Sequence, residues 1–231
     1  MKQQTGEKVI IFDSGALISF SMNGMLDIIK KLKDVFSGKF LITSEVKGEV
    51  IDVPLRIKKF ELEALKIKSL LDEGVLELPS SFGVKDSEIE KEDNLFLKVA
   101  NSTFIGRGKD IHILDHGEAS CLGLSKILTE RGIRNVVVID ERTTRLLVER
   151  PENLKNIFEE RMNTRVVIKS GNLKFFKDFK VIRSPELAYV AYKKNLVGLK
   201  NSLVLDALLY ALKFKGAAIS GDEIEQIKRL G

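Results

Sequence analysis

Cysteine and histidine are nearly absent from this 231-residue chain: one of the former, Cys121, and two of the latter. A disulfide framework is excluded, and so is a zinc ribbon or finger. Long apolar runs are missing as well, with none near the roughly 20 residues a membrane-crossing helix needs. The opening MKQQTGEK, followed at once by the strand-like VIIF, lacks a signal-peptide layout. No internal repeat or low-complexity segment interrupts the chain. These absences predict a soluble protein of a reducing compartment, placed in the cytoplasm, with no membrane partner. Hydrophobic residues make up 44% and charged residues 31%, enough apolar material for a core in one domain or one domain with an insertion.

The net charge of +5 is unevenly spread. Residues 1–150 carry 23 Lys/Arg against 24 Asp/Glu, and residues 151–231 carry 15 against 9, so the second part holds an excess of six positive charges. Seven basic residues and one acid, Asp178, fall between Arg161 and Arg183. Such a strip suits a polyanion, or else decorates a solvated sheet edge.

Short apolar, β-rich runs at Lys8–Phe12, Phe40–Thr43 and Val136–Ile139 read as buried strands, with another at Val75–Leu78. Helical spacing covers Met25–Phe36, Ser44–Ile51, Leu55–Asp72, Glu88–Ala100 and Glu118–Arg131. Further helices follow Asp140 and run over Pro185–Lys194, Ser202–Lys213 and Asp222–Leu230. Val166–Lys180 reads as two strands around Ser170-Gly171-Asn172, a basic hairpin. Alternation of strands and helices predicts an α/β, three-layer sandwich with a mostly parallel central sheet.

The chemistry lies in the acids. Asp13 follows the first strand and Asp140 the VVVI strand, while Glu49 and Glu118 sit on neighbouring helices. Ligands of parallel sheets bind beyond the carboxyl ends of the strands, so these four carboxylates are expected to converge there. Converging carboxylates require a cation, and hard oxygen donors favour Mg²⁺ or Mn²⁺, which can activate a water beside a phosphoryl group. Each acid alone also reads as a helix cap or a solvated residue; Glu45, Asp115 and Glu141 are examples. His116 reads as a loop histidine and Cys121 as core.

The ordered set resembles the PIN-domain nucleases, in the prokaryotic and archaeal subgroup whose third acidic element reads L-D-x-G-E. IIFDSGALIS is similar to the opening strand with Asp13. ITSEVKGEV is similar to the second element and makes Glu49, not Glu45, its acid. LDHGEASCLGLS places Asp115 and Glu118, and VVVIDERTTRLLVE places Asp140, Glu141 and Arg145. Leu196-Val197-Gly198 and SLVLDALLYALKFKGAAISGDEIEQIKRLG resemble the family's tail. The chain departs from the pattern in four places. Thr43 stands where Pro is usual, residues 52–112 are long, a basic hairpin is added at about 160–183, and Arg183-Ser184-Pro185 replaces Gly-Thr.

The resemblance implies one PIN-like domain over 1–231, with core motifs in 8–50 and 112–150, a helical insertion at about 52–110 and C-terminal helices over 185–231. It implies a metal-dependent ribonuclease cleaving single-stranded RNA, with Asp13, Glu49, Glu118 and Asp140 catalytic and, with Asp115, holding Mg²⁺ or Mn²⁺. Ser14, Ser184 and Glu141 line the site. Arg142, Arg145, Lys174, Lys177, Lys180 and Arg183 are the expected nucleic-acid contacts, with Phe175, Phe176 and Phe179 either stacking on bases or packing the hairpin down. Some members are toxins, so an antitoxin-like partner stays open, as does a homodimer. Asp206 and Asp222 are the alternative later acids; Asp140 is preferred because it follows a convincing strand. A non-catalytic RNA-binding module is the competing function. A haloacid-dehalogenase-type phosphatase ranks last, because Gly15 occupies the position of that family's second Asp.

Overall fold

The computed structural model describes residues 7–230. At its centre β1 (Lys8–Phe12) and β5 (Arg134–Val138) lie side by side, flanked by β2 (Lys39–Leu41) and β7 (Val181–Ile182), in the order β2-β1-β5-β7. All three pairings are parallel. The strands are short and apolar because they are buried on both faces; Ile11, Phe12, Val137 and Val138 are fully enclosed. Glu77, in the Val75–Leu78 run, joins the outer edge through a single parallel bridge to Leu41 rather than a full strand.

The connections between parallel strands are helical, as crossovers must be. Helices α1 (Ser14–Met22) and α2 (Leu26–Val35) lead to β2. After β2 come α3 (Ser44–Lys47), a π-helical turn at Gly48–Asp52, and α4 (Glu61–Asp72). Helix α5 (Asp86–Ala100) packs on α6 (His116–Glu130), which lies against β1 and β5. Helices α7 (Arg142–Glu149) and α8 (Pro151–Met162) follow β5; α9 (Ser184–Lys193), α10 (Val204–Phe214) and α11 (Gly221–Arg229) follow β7. Helix α1 touches α2, α4 and α9, and α10 packs on α9. This α/β arrangement about a four-stranded parallel sheet is compatible with a three-layer sandwich. No helix among the described residues is long and apolar enough to cross a membrane.

A second, antiparallel sheet was not anticipated. Strands β3 (Phe104–Gly106) and β4 (Lys109–Asp110) form a hairpin, and β6 (Val166–Ile168) pairs with the other edge of β3. The two-residue turn, Arg107-Gly108, has positive φ at both positions (51° and 74°), as the right-handed twist of a tight hairpin demands.

The expected basic hairpin does not form. Only its first arm is a strand: β6 takes the open edge of β3, whereas β7, which begins after Lys180, takes the open edge of β5. Between them Ser170–Phe176 winds into 3-10 turns. Those turns are held down by Phe176 and Phe179, whose rings pack at 5.8 and 5.5 Å from that of Phe96 on α5.

Candidate functional site

Because the four sheet strands are parallel, their carboxyl ends share one edge, and each delivers a polar residue there. Asp13 directly follows β1 and caps α1: its Oδ2 accepts from the Gly15 N–H at 3.2 Å, while its own N–H donates to the Val138 carbonyl at 3.0 Å. Asp140 stands two residues beyond β5. Ser184 stands two residues beyond β7 and gives Asp140 two hydrogen bonds, N–H to Oδ1 at 2.7 Å and Oγ–H to Oδ2 at 2.6 Å. Glu49, in the π-helical turn after β2, comes from the other side of Asp13. The fifth contributor is α6: Glu118, in its first turn, accepts the Asp115 N–H at 2.9 Å.

Two glycines show how tightly these groups are drawn in. A Cβ on Gly117 would sit 2.8 Å from both carboxylate oxygens of Glu49, so Glu49 lies over the first turn of α6 only because no side chain is there. A Cβ on Gly15 would lie 3.4 Å from Asp13 Oδ2 and 3.8 Å from Asp140 Cβ, so both aspartates border the same glycine. Ser19, buried on α1 near Asp140, donates its hydroxyl to the Lys215 carbonyl at 3.5 Å. Sequence reasoning missed Gly15, Gly117 and Ser19. The Gly of the LDHGE element was visible there, but its role depends on where Glu49 lies.

The electrostatics follow from burial. Asp13 is 3% exposed, its Oδ1 has no partner, and burial pushes its carboxyl up to about 7, with the charges of Glu49 and Asp140 adding to the effect of burial. Burial likewise raises Glu118 to about 8, reinforced by Asp13, Glu141 and Asp115. Asp140 is raised by burial too, against the two bonds from Ser184. Cys121 lies beneath the group as a fully buried core residue, its thiol held protonated by burial and by the neighbouring acids.

The other expected residues are placed as follows. Ser14 opens α1, and its N–H supports Asp13. Asp115 is exposed at the rim, where His112 Nε2 reaches it at 2.8 Å. Glu141 caps α7, accepting from the Thr144 N–H at 2.7 Å, and its charge reaches Glu118. Glu45 lies instead near Asp93 and His116, on which its charge acts. His116 is no free loop residue: its Nδ1 is 2.7 Å from Oδ2 of the buried Asp93. Asp206 pairs with Lys228 at 2.7 Å, and Asp222 opens α11.

No family model matches the chain, and no curated protein or solved structure shows significant similarity to it. The site must therefore be read from its own chemistry.

That chemistry is a set of hard oxygen donors carrying more negative charge than their burial tolerates, with one carboxylate oxygen left without a partner. Such a donor set fits a hard divalent cation. Among the described residues, however, no three of His, Cys, Asp and Glu are drawn close enough to grip an ion as they stand. Closing on a cation would require rotation of flexible carboxylates, chiefly Glu49 and Glu118.

Of the expected phosphate contacts, Lys174, Lys177 and Lys180 are exposed on or next to the 3-10 segment, and Arg142 is exposed on α7. Arg183 is not one of them. It is 6% exposed, and its guanidinium is spent on Glu186, on Glu223 at 2.8 Å and on the Ala218 carbonyl at 3.2 Å. Burial works against its charge, but the two glutamates keep it protonated. In return, Arg183 and the Ser220 N–H bring Glu223 down to about 2 despite partial burial. The phenylalanines pack rather than stack on bases: Phe176 is 1% exposed, and Phe179 joins it against Phe96.

Proposed function

We propose that the chain is a PIN-like, Mg²⁺- or Mn²⁺-dependent nuclease that hydrolyses phosphodiester bonds of single-stranded RNA. One observation carries the reading: Asp13, Asp140, Glu49 and Glu118 reach one edge of a parallel sheet, and Asp13 there keeps a buried oxygen without a partner. A buried carboxylate group of this kind stays ionised at neutral pH only with a counter-charge.

The cation, when bound, polarises the phosphoryl group and makes a hydroxide available from water near neutral pH. The protein's own part is positional. Asp13 and Asp140 are fixed by α1 and by Ser184, so they supply the rigid side of the site. Glu49 and Glu118 come from helical turns on the other side and supply the adjustable one. Ser184 keeps both Asp140 oxygens oriented, and the exposed Lys174, Lys177 and Lys180, which precede β7, offer charge to the strand's phosphates at a distance from the acids.

The test is cleavage of a mixed-sequence single-stranded RNA in Mn²⁺ or Mg²⁺, against EDTA and against Asp140→Asn. Metal-dependent cutting that the substitution abolishes is the expected result. A second reading, an RNA-binding module without hydrolysis, is favoured by the absence of three closely gathered ligands. Binding of the RNA by every sample with no cutting by any would establish it over the first.

A further inference from the structure

Behind the acidic edge lies a polar cavity of about 710 Å³, walled by α7, the start of α8, the end of α10, the 217–220 segment and α11. Four cationic side chains face it: Arg142 and Arg145 from α7, Arg150 from the α7–α8 junction and Lys213 from α10. Two carboxylates oppose them, Glu149 and Glu223, which leaves a local balance of +2. Glu223 is already engaged, taking the Arg183 Nη1 at 2.8 Å on Oε1 and the Ser220 N–H at 2.8 Å on Oε2. Arg145 reaches the same carboxylate only at 3.4 Å, and its buried Nε has no partner. Among the described residues, the side chains of Arg142, Arg150 and Lys213 enter no ion pair.

Like charges on a convex surface separate into water. Drawn into a concavity they raise one another's energy and focus a positive potential inward, which an anion relieves. A phosphodiester brings one negative charge, whereas a phosphomonoester brings nearly two, with three strong acceptor oxygens. The second matches a balance of +2, and the volume leaves room for an attached nucleotide. The cavity also adjoins the acidic edge. The N–H of Ala218, one of its wall residues, donates to the Asp140 carbonyl at 3.2 Å, and Arg142 follows Asp140 by two residues.

We propose that this cavity is a pocket for a phosphomonoester dianion, occupied by the phosphorylated end of the RNA strand. That identity of the ligand rests on the nuclease reading; the pocket's chemistry does not. The Arg142, Arg150 and Lys213 groups bind the terminal phosphate, and the strand then runs from the pocket toward the acids. The enzyme accordingly prefers strands with a phosphate at one end over strands ending in hydroxyls.

The experiment is binding by fluorescence anisotropy in EDTA, where no cutting occurs. The probes are an internally labelled RNA decamer with a 5′-phosphate, with a 3′-phosphate or with hydroxyls at both ends, and AMP and inorganic phosphate serve as competitors. One phosphorylated decamer should bind at least about tenfold more tightly than the hydroxyl-ended one. Arg142→Gln combined with Lys213→Gln should erase that difference while leaving the thermal midpoint in place. Equal binding of all three decamers by the wild type, or a preference that survives the double substitution, overturns the proposal. RNA cut in Mn²⁺ despite such equal binding leaves the nuclease reading intact and removes the pocket alone. AMP bound by the wild type and lost in the variant, with no decamer bound, keeps the pocket, makes its ligand a free phosphomonoester and removes the nuclease reading.

Discussion

Asp13→Asn should make the cation-free protein more stable at pH 8, although it replaces a residue proposed as indispensable. Asp13 is raised from an ordinary value of 3.8 to about 7, chiefly by burial. The folded state therefore holds a proton there across roughly pH 4 to 7 that the unfolded chain releases, and stability falls as pH rises through that window. About three units at ~1.4 kcal/mol each set an upper limit near 4 kcal/mol for the cost of ionised Asp13 above pH 7. Side-chain relaxation away from Glu49 and Asp140 halves that, to about 2 kcal/mol. Asparagine keeps an acceptor for the Gly15 N–H and offers its own N–H groups to the neighbouring carboxylates. In a chain of this size the gain corresponds to roughly 4–8 °C in thermal midpoint. Melting curves in EDTA at pH 8 and pH 4 measure it, and at pH 4 the two proteins should melt together. Glu118, raised to about 8, makes both proteins lose stability with rising pH, and less so in the variant, because the charge of Asp13 contributes to that rise. Adding Mn²⁺ at pH 8 should reverse the order, since a ligand at a hundred times its Kd stabilises by about 2.7 kcal/mol and the variant binds it less well. A variant no more stable than the wild type at pH 8, or equally stabilised at both pH values, refutes the idea that the site carries uncompensated charge.

Three further outcomes are expected. Gly117→Ala should hold or raise the thermal midpoint, by up to about 1 kcal/mol of helix propensity, because the flexible end of Glu49 gives way. Its displacement should lower metal-dependent cleavage by roughly 10- to 100-fold, and an unchanged rate would show that Glu49 has no part in the site. His116→Ala leaves both oxygens of buried Asp93 without a partner and should cost about 1–3 kcal/mol at pH 7 in urea denaturation. Because burial raises Asp93, that cost should shrink toward pH 4 as the carboxyl takes up a proton; an equal loss at both pH values would point to packing instead. Arg183→Met strips Glu223 and Glu186 of their shared cation and should cost about 2–4 kcal/mol by calorimetry, whereas a phosphate-binding arginine on the surface would cost almost nothing.

The central sheet was legible because its strands are enclosed on both faces. KVIIF, FLIT and VVVI are continuous apolar runs, and the acids just beyond the first and third mark the carboxyl edge of the sheet. What could not be read rests on long-range pairing. Strands β3, β4 and β6 are two or three residues long, too short to show a period, and β3 joins β6 across some sixty residues of chain. Helix α8 starts on Pro151, where a proline after Arg150 ends one helix and, at a first helical position, opens the next, so the sequence shows no gap between two helices. Arg183 was misread because charge in a sequence carries no burial: an exposed phosphate contact and a buried clamp between two glutamates are written alike.

Two of the departures from the family pattern take on structural roles beside the acids. Thr43, in place of proline, caps α3 by accepting the Val46 N–H at 3.2 Å, and its hydroxyl lies 2.8 Å from Ser120 Oγ on α6. The helix leading to Glu49 is thereby tied to the helix that carries Glu118. Ser184, in the element that replaces Gly-Thr, supplies both hydrogen bonds that orient Asp140, and Arg183 before it anchors the same corner to α11. Asp140 is buried, oriented by two hydrogen bonds and close to a second buried aspartate, an arrangement that burial penalises in its charged form. Replacing Asp140 and Asp13 with apolar residues would then be the less costly solution, since buried ionic groups are often outperformed by well-packed hydrophobic ones. On the proposed reading, Ser184 holds both oxygens of Asp140 so that the carboxylate can face a cation beside Asp13, and Ser184→Ala should weaken that hold.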